Sequence, residues 1–478
     1  MTFDVYISGT WQSGKGAGFS SICPATGESV WQGRAADATQ VNAAVAAAKA
    51  AFQDWSRTDA SSRADMLRRY SEALTDRKDA LALAISRDMG KPLWEARIEA
   101  GAMAGKVAIS IQAYTERTGH DATANMSLTH RPHGVMAVFG PFNFPGHLPN
   151  GHIVPSLLAG NTVVFKPSEL TPSVAQIMIE AFVTAGLPEG VLNLVNGGRK
   201  TGGALLQADI DGLLFTGSAQ TGAAFHKYFG GRPEVMLALE MGGNNPLIIA
   251  EPTDVSAAAD IAFMSAFITS GQRCSCTRRL ILPQGKFGDN VIDAVLARMK
   301  SVTVGPWDED VFMGPVVSAR SAQAAMDFEA MLIAKGGASI QALERPNPSG
   351  AFLRPAMIDV TDASVPDEEL FGPVLQVIRV ADIDTAFARA NDTRFGLAGG
   401  LVSDDADLWA RAQMDMKAGI LNWNKPTTGA ASSMPFGGPG LSGNHRPSAY
   451  YAADYCAWPQ ASQTAPEVVA PKLVGFED

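Results

Sequence analysis

The strongest constraint on the fold is a regular alternation of wholly apolar strands and helical segments in the first half of the chain. The predicted strands share an unbroken apolar character and are Val135–Phe139, Thr162–Phe165, Val191–Val195, Leu213–Thr216 and Val235–Leu239. The helices predicted between them are Leu148–Ala159, Pro172–Ala185, Gly203–Gln207 and Gly222–Phe229. Apolar strands that alternate with helices indicate a parallel sheet covered on both faces. Ligands of such sheets bind at the carboxyl ends of the strands.

A second alternation follows position 274 and predicts a second α/β domain. Its predicted strands are Arg279–Leu282, Ala356–Val360, Val374–Val380, Gly399–Val402 and Gly419–Asn422. Its predicted helices are Phe287–Lys300, Asp384–Asn391 and Asp404–Lys417. A chain of 478 residues is too long for one core of ordinary size, so two or three domains are expected.

The residues before the first alternation are predicted to form short strands and a helical layer. Gly9–Gly16 matches a phosphate-binding P-loop at every position except the last, where Gly16 offers no hydroxyl to magnesium, so we predict a hairpin turn. From Thr39 to about Thr118 the periodicity predicts three long amphipathic helices that act as a scaffold. The tail, residues 461–478, is too short to form a core and is expected to pack on another domain or subunit.

The charge balance argues against nucleic acid and anionic membranes as partners. The 48 acidic residues exceed the 38 basic ones, for a net charge of −10, and no basic run could follow a nucleic-acid backbone. No apolar run approaches the roughly 20 residues of a membrane-spanning helix, and Met1–Asp4 lacks the pattern of a signal peptide. Because four cysteines are too few for a disulfide framework, a cytoplasmic protein is expected.

A carboxylate and a thiol at the two ends of one segment suggest covalent chemistry. Glu240 stands in a glycine-bordered turn, and Cys274 follows Gly271-Gln272 after a helical segment. A thiolate at such a turn can attack an electrophile, and a carboxylate can then activate water. These residues alone do not separate a hydrolase from a dehydrogenase.

The remaining cysteines and the histidines offer no competing site. Cys23 and Cys456 are predicted to be packed side chains, and Cys276 is predicted to be a bystander of Cys274 rather than a redox guard. One Cys-x-Cys pair does not make a zinc site, and the seven histidines carry neither a metal motif nor a thiol-protease signature. No bound metal is expected.

Two short motifs at the ends of predicted strands suit a dinucleotide. The residues that lead from one strand into a helix, where N–H groups and the helix dipole can meet a phosphate, are Gly217, Ser218, Ala219, Gln220, Thr221 and Gly222. Lys166, Ser168 and Glu169 follow another strand, and a carboxylate there favours NAD over NADP because it can bind ribose hydroxyls and disfavours a 2′-phosphate. Taken singly, the first motif can also be a plain turn and the second a helix cap.

Asn143 lies among proline and aromatic residues in the loop after the first parallel strand. A rigidly held amide can donate a hydrogen bond to an oxyanion. The alternative is an asparagine that satisfies the backbone of its own turn.

Seven motifs in one order over nearly the whole chain resemble the aldehyde dehydrogenase superfamily. They are Phe142-Asn143-Phe144-Pro145, Lys166-Pro167-Ser168-Glu169, Phe215-Thr216-Gly217-Ser218, Glu240-Met241-Gly242-Gly243, Gly271-Gln272-Arg273-Cys274, Glu369-Leu370-Phe371-Gly372-Pro373 and Pro435-Phe436-Gly437-Gly438. Together they are far more specific than any one of them.

The resemblance implies a role for each of these sites. Cys274 would be the nucleophile, Glu240 the general base and Asn143 an oxyanion donor. Lys166 and Glu169 would contact the adenosine ribose of NAD, with Ser168 beside them. The pyrophosphate would lie on Gly217, Ser218 and the start of the following helix, and Glu369 and Phe371 would contact the nicotinamide side.

The resemblance also implies a fold and its division into domains. We expect an α/β protein with a Rossmann-type NAD-binding domain (1–120 and 134–239), an α/β catalytic domain (240–424) and a return to the cofactor domain (425–460). A small β element, residues 121–133 and 461–478, would join subunits into a homodimer or a dimer of dimers.

Motifs near the carboxyl end are similar to those of a family member whose aldehyde substrate carries two carboxylates. The motifs are Asn422–Ser432, Ser442–Ser448 and Tyr455–Pro459. Such a substrate calls for cations at the pocket, because arginine in particular binds carboxylates in bidentate fashion. The candidates are Arg273, Arg278, Arg279, Lys425 and Arg446, for each of which a surface or interdomain salt bridge is the alternative.

Four other functions are compatible with parts of the pattern. Within the superfamily, another anionic or aliphatic semialdehyde could be the substrate. Transfer of the acyl group to coenzyme A is disfavoured because Glu240 is present to activate water. A redox-free thiol esterase is disfavoured by the cofactor motifs, and a non-catalytic relative is disfavoured because Cys274 and Glu240 are both retained.

Overall fold

The computed structural model describes residues 4–471 and 474–475, and two hairpins and a helical layer form its amino-terminal part. The hairpins pair β1 (Val5–Ile7) with β2 (Thr10–Gln12) and β3 (Gly18–Ile22) with β4 (Ser29–Arg34). The helices are α1 (Ala38–Trp55), α2 (Ala60–Asp76), α3 (Lys78–Met89) and α4 (Leu93–Arg117). The predicted turn at Gly9 is confirmed, but the three predicted helices are four, because Arg77 (φ −101°, ψ 10°) separates α2 from α3.

The first alternation forms the parallel sheet that its apolar strands predict. After β5 (Asp121–Ala122) and β6 (Met126–Pro132) come β7 (Val135–Phe139), α5 (His147–Ala159), β8 (Thr162–Lys166), α6 (Pro172–Thr184), β9 (Leu192–Val195), α7 (Arg199–Gln207), β10 (Gly212–Gly217), α8 (Ala219–Phe229) and β11 (Met236–Met241). The strand order is β11-β10-β7-β8-β9-β1-β2, parallel from β11 to β9, with β1 and β2 antiparallel at the edge. Every residue of β7, β8 and β9 is buried.

The second alternation forms a second seven-stranded sheet. Its elements are β12 (Asn245–Ile249), α9 (Val255–Phe267), a 3₁₀ turn (Ile268–Gly271), β13 (Thr277–Pro283), α10 (Lys286–Ser301), α11 (Ala319–Ala334), β14 (Ala338–Gln341), β15 (Ala356–Asp359), β16 (Val374–Val380), α12 (Ile383–Asn391), β17 (Ala398–Val402), α13 (Ala406–Asp415) and β18 (Ile420–Trp423). The order is β14-β15-β16-β13-β12-β17-β18, and only β14 runs antiparallel to its neighbour. The sequence did not predict β12, α11 or β14.

The carboxyl-terminal residues return to the first half of the chain. They form β19 (Pro435–Phe436), a 3₁₀ turn (Gly440–Ser442), β20 (Ser448–Ala449), α14 (Ala452–Cys456) and β21 (Ala457–Gln463). β21 pairs antiparallel with β6, whose other edge pairs with β5. Of the predicted tail, residues 461–463 pair with β6 as the end of β21, which begins four residues before position 461. Residues 472–473 and 476–478 lie outside the described part.

The returning segment also fixes the end of β11. Gly443 forms an antiparallel bridge with Glu240. The Asn444 side chain accepts from the N–H of Leu239 (2.9 Å) and donates to the carbonyl of Leu237 (2.9 Å). The end of β11, which carries Glu240, is thus held by residues that lie 205 positions further along the chain.

Within the described ranges no helix is long and apolar enough to cross a membrane. The same residues contain no cluster of three or more His, Cys, Asp and Glu side chains arranged to hold a metal ion.

Candidate active site

The turn that carries Cys274 has an unusual backbone. Thr269, Ser270 and Gly271 have φ angles of 55°, 55° and 72°. Positive φ is disfavoured for residues other than glycine, above all for a β-branched one, and such strain is often found at active sites. A Cβ atom at Gly271 would lie 2.2 Å from the carbonyl oxygen of Gly372, so only glycine fits. This turn ends α9 and directs the chain toward Cys274.

Side chains anchor every carbonyl oxygen of residues 271–276. Arg278 donates to those of residues 271 (2.7 Å) and 273 (3.0 Å), and the Asn245 amide donates to those of residues 274 (2.7 Å) and 276 (2.8 Å). Asn143 and Thr427 supply the other two, at 3.0 Å to residue 272 and 2.8 Å to residue 275. Cys274 therefore sits on a rigid backbone, and preorganised geometry of this kind favours catalysis.

A buried ion pair holds the Asn143 loop in place. Lys91 Nζ lies 2.7 Å from Glu99 Oε2, with both side chains fully buried, and it also donates to the Asn143 carbonyl (2.9 Å). The other Glu99 oxygen accepts from the backbone N–H groups of Gly146 (3.1 Å) and His147 (3.2 Å). The loop is thus fixed at both its ends by one pair of charges.

Asn143 has one side-chain N–H that is not used within the structure. Its side chain is buried, and its amide nitrogen uses one N–H on the Gln272 carbonyl, so a second N–H is available. The backbone N–H of Cys274 donates to no group among the described residues. One N–H of the Asn143 amide and the backbone N–H of Cys274 thus have no acceptor among the described residues.

Glu240 is buried at the end of β11 beside Cys274. Neither of its carboxylate oxygens has a hydrogen-bond partner of ordinary geometry among the residues described. Burial, and then the negative charge of Glu369, raise its pKa to about 8, and the nearby Thr216 hydroxyl offsets the rise only in part. Glu240 is therefore mostly protonated at pH 7 and becomes a base as the pH approaches 8.

The Cys274 thiol is also protonated at rest. Burial, followed by the charges of Glu240 and Glu369, raises its pKa well above the usual range, and Arg278 opposes this shift. The two negative charges act on the thiol because they lie close to it. Formation of a thiolate therefore requires a proton acceptor at the moment of reaction.

The other three cysteines are buried, as predicted. Burial raises the pKa of Cys276 and raises that of Cys456 to about 12. Of the four thiols, all of which are described and unpaired, only Cys274 is partly exposed.

A cavity of about 220 Å³ opens onto Cys274. Its walls come from α4, α5, the Cys274 turn and residues 428–449. Thr216 reaches this wall, whereas Asn143 and Glu240 lie outside it. The charged side chains on the wall are Glu95, Glu99, Lys106 and Arg273.

The predicted phosphate site is the exposed amino terminus of α8. Ser218 caps the helix by accepting from the N–H of Thr221 (3.2 Å), and Ser218, Gln220 and Thr221 are exposed. The first N–H groups of a helix have no intrahelical acceptor, so the turn at Gly217 to Gln220 can accept a phosphate group. Gly222 has a different task, because a Cβ there would lie 2.2 Å from the Met241 sulfur. It allows α8 to approach β11.

The second cofactor motif lies at the end of β8, which β7 separates from β10 in the sheet. Lys166 Nζ donates to the carbonyls of Pro167 and Gly197 (2.7 Å each) and lies 3.9 Å from Glu169. Burial lowers the pKa of Lys166, an effect opposed by Glu169. The Glu169 side chain is half exposed, at 51%, and is free to meet a ribose hydroxyl. Ser168 instead closes its own turn by accepting from the Leu170 N–H (3.2 Å).

Glu369 and Phe371 lie between the two sheets. Glu369 accepts from the Gly243 N–H (3.1 Å), and burial raises its pKa to about 7 against the opposing effects of Arg278 and this N–H. Phe371 meets Phe142 edge to face, with ring centroids 6.1 Å apart. The structure thus brings Glu369 next to Glu240 and brings Phe371 next to the Asn143 loop.

The predicted substrate cations mostly lie elsewhere. Arg278 is buried under the Cys274 turn and does not line the cavity, since its guanidinium is taken by backbone carbonyls. Arg279 likewise donates to the carbonyls of residues 244, 389 and 390. Lys425 and Arg446 are exposed and lie outside the cavity wall. Of this set only Arg273 reaches the cavity, where it pairs with Glu95 at 2.8 Å.

Sequence analysis did not single out Lys91, Glu99, Lys106 or Asn245. The sequence does contain a signal for Glu99 and Lys106, the two that lie on α4. The buried positions of this helix include Glu95, Glu99, Met103, Lys106 and Ser110 at spacings of three and four. A stripe that is polar on the buried face of a helix departs from the usual amphipathic pattern. Such a departure indicates either buried ion pairs or a site.

Comparison with known proteins agrees with this geometry. The sequence model that describes the aldehyde dehydrogenase family matches residues 11–460 of the chain. N-succinylglutamate 5-semialdehyde dehydrogenase of Burkholderia multivorans is 54% identical over 476 residues, which cover 98% of each chain. The chain therefore belongs to the aldehyde dehydrogenase family.

Solved structures of the family have the same fold. A 1-pyrroline-5-carboxylate dehydrogenase from Thermus with bound NAD has a TM-score of 0.92 at 29% identity, covering 97% of this chain and 93% of its own. An NAD-dependent aldehyde dehydrogenase from Sinorhizobium meliloti has a TM-score of 0.93 at 26% identity, covering 99% of this chain and 97% of its own. The protein is an enzyme, an oxidoreductase with a nicotinamide cofactor.

Proposed function

We propose that the enzyme oxidises N-succinyl-L-glutamate 5-semialdehyde to N-succinyl-L-glutamate with NAD. The observation that carries this proposal is the cavity over Cys274, whose wall holds a cation without an anionic partner, in a chain 54% identical to a relative of that name. The substrate carries two carboxylates besides the aldehyde, so a cationic wall suits it.

The first step is attack by Cys274. As the Cys274 proton leaves to solvent, the sulfur bonds to the aldehyde carbon and the carbonyl oxygen becomes an oxyanion. The free N–H of Asn143 and the backbone N–H of Cys274 stabilise that charge. Each such donor is worth about 3–4 kcal/mol in comparable sites.

The cofactor would be held by residues already in place for it. The start of α8, from Gly217 to Gln220, would take the pyrophosphate, and Lys166 with Glu169 would face the adenosine ribose. When bound, the nicotinamide accepts the hydride that leaves the Cys274 adduct, and Cys274 is left as a thioester.

Glu240 then completes the cycle. Once it has given up its proton, its carboxylate can deprotonate a water molecule that attacks the thioester, which releases the acid and restores the Cys274 thiol. Because both oxygens of Glu240 are without hydrogen-bond partners among the described residues, water is the partner that this carboxylate lacks.

NAD is preferred over NADP in this proposal because of Glu169. Its half-exposed carboxylate would repel a 2′-phosphate and accept hydrogen bonds from free ribose hydroxyls. The ratio of kcat/KM for the two cofactors measures this, and Glu169→Gln should reduce the ratio. A wild-type enzyme that prefers NADP would overturn it.

Self-association through the β5-β6-β21 sheet is also proposed. Met126 and Leu128, on one face of this sheet, are 57% and 38% exposed, and Trp458, on the other face opposite Arg131 in the register, is 42% exposed. Both faces of the sheet thus expose large apolar side chains. Light scattering should give a dimer or a tetramer, and Trp458→Glu should shift it toward monomer. A monomeric wild type would exclude self-association through this sheet.

With its free cysteines the enzyme suits a reducing cytoplasm.

The decisive measurement for the reaction is kcat/KM, from NADH formation, over a set of aldehydes. The set is N-succinylglutamate, glutamate and succinate semialdehydes and a simple aliphatic aldehyde, with Cys274→Ala as the inactive control. We expect the succinylated substrate to lead by at least about tenfold, the equivalent of roughly 1.4 kcal/mol. Comparable kcat/KM values for these aldehydes would overturn the proposed substrate and leave the assignment to the family unaffected. Ester cleavage without NADH would instead indicate a thiol hydrolase.

A further inference from the structure

Lys106 is the unusual group on the cavity wall. It lies on the buried face of α4, is 2% exposed, and lines the same cavity as Cys274. A lysine is rarely buried unless it is paired. Yet none of the described residues forms an ion pair or hydrogen bond with the Lys106 ammonium.

The acidic residues nearest in the helix each pair with another cation. Glu99 pairs with Lys91, and Glu95 pairs with Arg273 through Oε1, while Glu95 Oε2 is buried without a hydrogen-bond partner among the described residues. These two pairs account for both carboxylates on the wall and for both neighbouring cations. Lys106 is left as one uncompensated positive charge facing an enclosed space.

The surrounding side chains do not compensate for this charge. His147 and His152 also line the cavity, and burial, then the charge of Lys106, lowers their pKa values to about 4 and about 3. Both are neutral at pH 7. His147 Nδ1 is buried without a partner among the residues described, so a second polar group at this place is also unsatisfied.

We propose that Lys106 binds a carboxylate of the substrate that is remote from the aldehyde, and so sets the preference of the enzyme for anionic semialdehydes. This inference rests on the proposed function and names the residue that selects the substrate class. An ammonium without an anion in a confined site binds a carboxylate strongly, because the ligand supplies the missing partner. Burial lowers the pKa of free Lys106 to about 8, so the group is still mostly charged at pH 7.

The test compares Lys106→Met, Lys106→Arg and Lys78→Met. Met keeps the length of the side chain without its charge, and Arg keeps the charge. Lys78 is a matched control: it is exposed, and it lies against Gly101 of the same helix, 3.6 Å from where a Cβ there would be. Each variant is assayed with N-succinylglutamate semialdehyde, succinate semialdehyde and a neutral aliphatic aldehyde.

Lys106→Met should lower kcat/KM for the carboxylate substrates about 10- to 100-fold more than for the neutral aldehyde, mainly through KM. Lys106→Arg should retain part of the preference, and Lys78→Met all of it. A merely structural role would reduce kcat/KM for all substrates by the same factor. That result, or an unchanged preference in Lys106→Met, would overturn the inference.

The two proposals can fail separately. A wild-type enzyme without preference for the succinylated substrate refutes the proposed function. A wild type with that preference, which Lys106→Met keeps, refutes only the role of Lys106. If Lys106→Met does not fold, calorimetry of Glu240→Gln with N-succinylglutamate still decides, because this variant lacks the ionisation of Glu240 near pH 8. Affinity should fall as the pH rises above 8, where Lys106 loses its charge, and a constant affinity to pH 9.5 would overturn the inference.

Discussion

The side-chain amide of Asn143 donates to the carbonyl oxygen of Gln272 at 3.0 Å, and this bond joins the loop after β7 to the turn that carries Cys274. The two loops come from different sheets. One amide therefore serves both as a link between the sheets and, through its other N–H, as a donor beside the nucleophile.

Replacement of Asn143 by Ala should remove the oxyanion donor. We expect kcat to fall about 10²–10³-fold, as for loss of one such donor in other enzymes. The measurement is steady-state NADH formation, with thermal unfolding to show that the fold is kept. Asn143→Asp is the matched variant, since it keeps the size and loses both N–H donors; activity near that of the wild type in either variant would contradict the role.

Replacement of Glu240 by Gln should separate the two half-reactions. The thioester should still form, but its hydrolysis should slow by about 10²–10⁴-fold, the usual contribution of a general base. Rapid mixing should then give a burst of NADH close to one equivalent per site, followed by slow turnover. Absence of the burst would mean that Glu240 is needed before hydride transfer, as the acceptor of the Cys274 proton.

The pH dependence of turnover should report the ionisation of Glu240. Its pKa is raised to about 8 by burial and by Glu369, and the base is the ionised form, so the hydrolysis rate should rise from pH 6.5 and level off above 8. Glu369→Gln removes a like charge. The pKa of Glu240 should then fall, and the rise should move to lower pH.

This profile requires conditions in which hydrolysis limits the rate, which a burst of NADH in the wild type would establish. Because Glu240 and Glu369 interact, the measured pKa belongs to the pair. A profile in Glu369→Gln that is unmoved, or moved to higher pH, would show that Glu369 does not act on the base.

The sequence predicted the fold and the reacting groups because both are encoded locally. The strands around β7 and β8 are apolar throughout, and Cys274 and Asn143 each stand in a turn that follows a regular element. The turn expected at Glu240 is wrong, because Glu240 lies within β11 and the chain turns only after Met241. Arg278 illustrates the limit. Its charge suggested a substrate contact, but its two terminal nitrogens donate to carbonyls of residues 271 and 273, in a turn whose path depends on strained φ angles that no sequence pattern announced.

Lys106 is the opposite case, because no sequence pattern marked it and the structure places it on the cavity wall. On α4 it appears to be one charge of a scaffold helix, and whether it faces solvent, an anion or a cavity depends on how α4 packs against α5. That packing is tertiary, and it decides both the role of Lys106 and the pairing of Glu95 and Glu99. Residues that function through such packing cannot be assigned from local pattern alone.

Cys276 should be dispensable. It is fully buried, its Sγ lies 3.8 Å from the carbonyl oxygen of Ile268, and burial raises its pKa. Cys276→Ala should retain kcat within about threefold and lose on the order of 1 kcal/mol of stability, the typical cost of a point mutation. Iodoacetamide followed by mass spectrometry should modify Cys274 alone in the native enzyme. A large fall in kcat, or labelling of Cys276, would indicate that this thiol takes part in the reaction or protects Cys274.

The Lys91–Glu99 pair should couple stability to catalysis. Lys91→Met leaves Glu99 charged and fully buried, and breaking a buried pair from one side typically costs about 3–5 kcal/mol. It also frees the carbonyl of Asn143 and the backbone of the loop, so kcat should fall even at temperatures where the variant is folded. The double variant Lys91→Met/Glu99→Leu removes both charges and should recover much of the stability, because no uncompensated charge remains.

The same double variant should not recover kcat. The N–H groups of Gly146 and His147 would still lack the Glu99 acceptor, so the Asn143 loop would remain loose. Urea unfolding and steady-state NADH formation measure the two effects on the same samples, with Lys78→Met as the control for loss of one lysine charge. If stability and kcat recovered together, the pair would act on the fold as a whole and not on the position of Asn143.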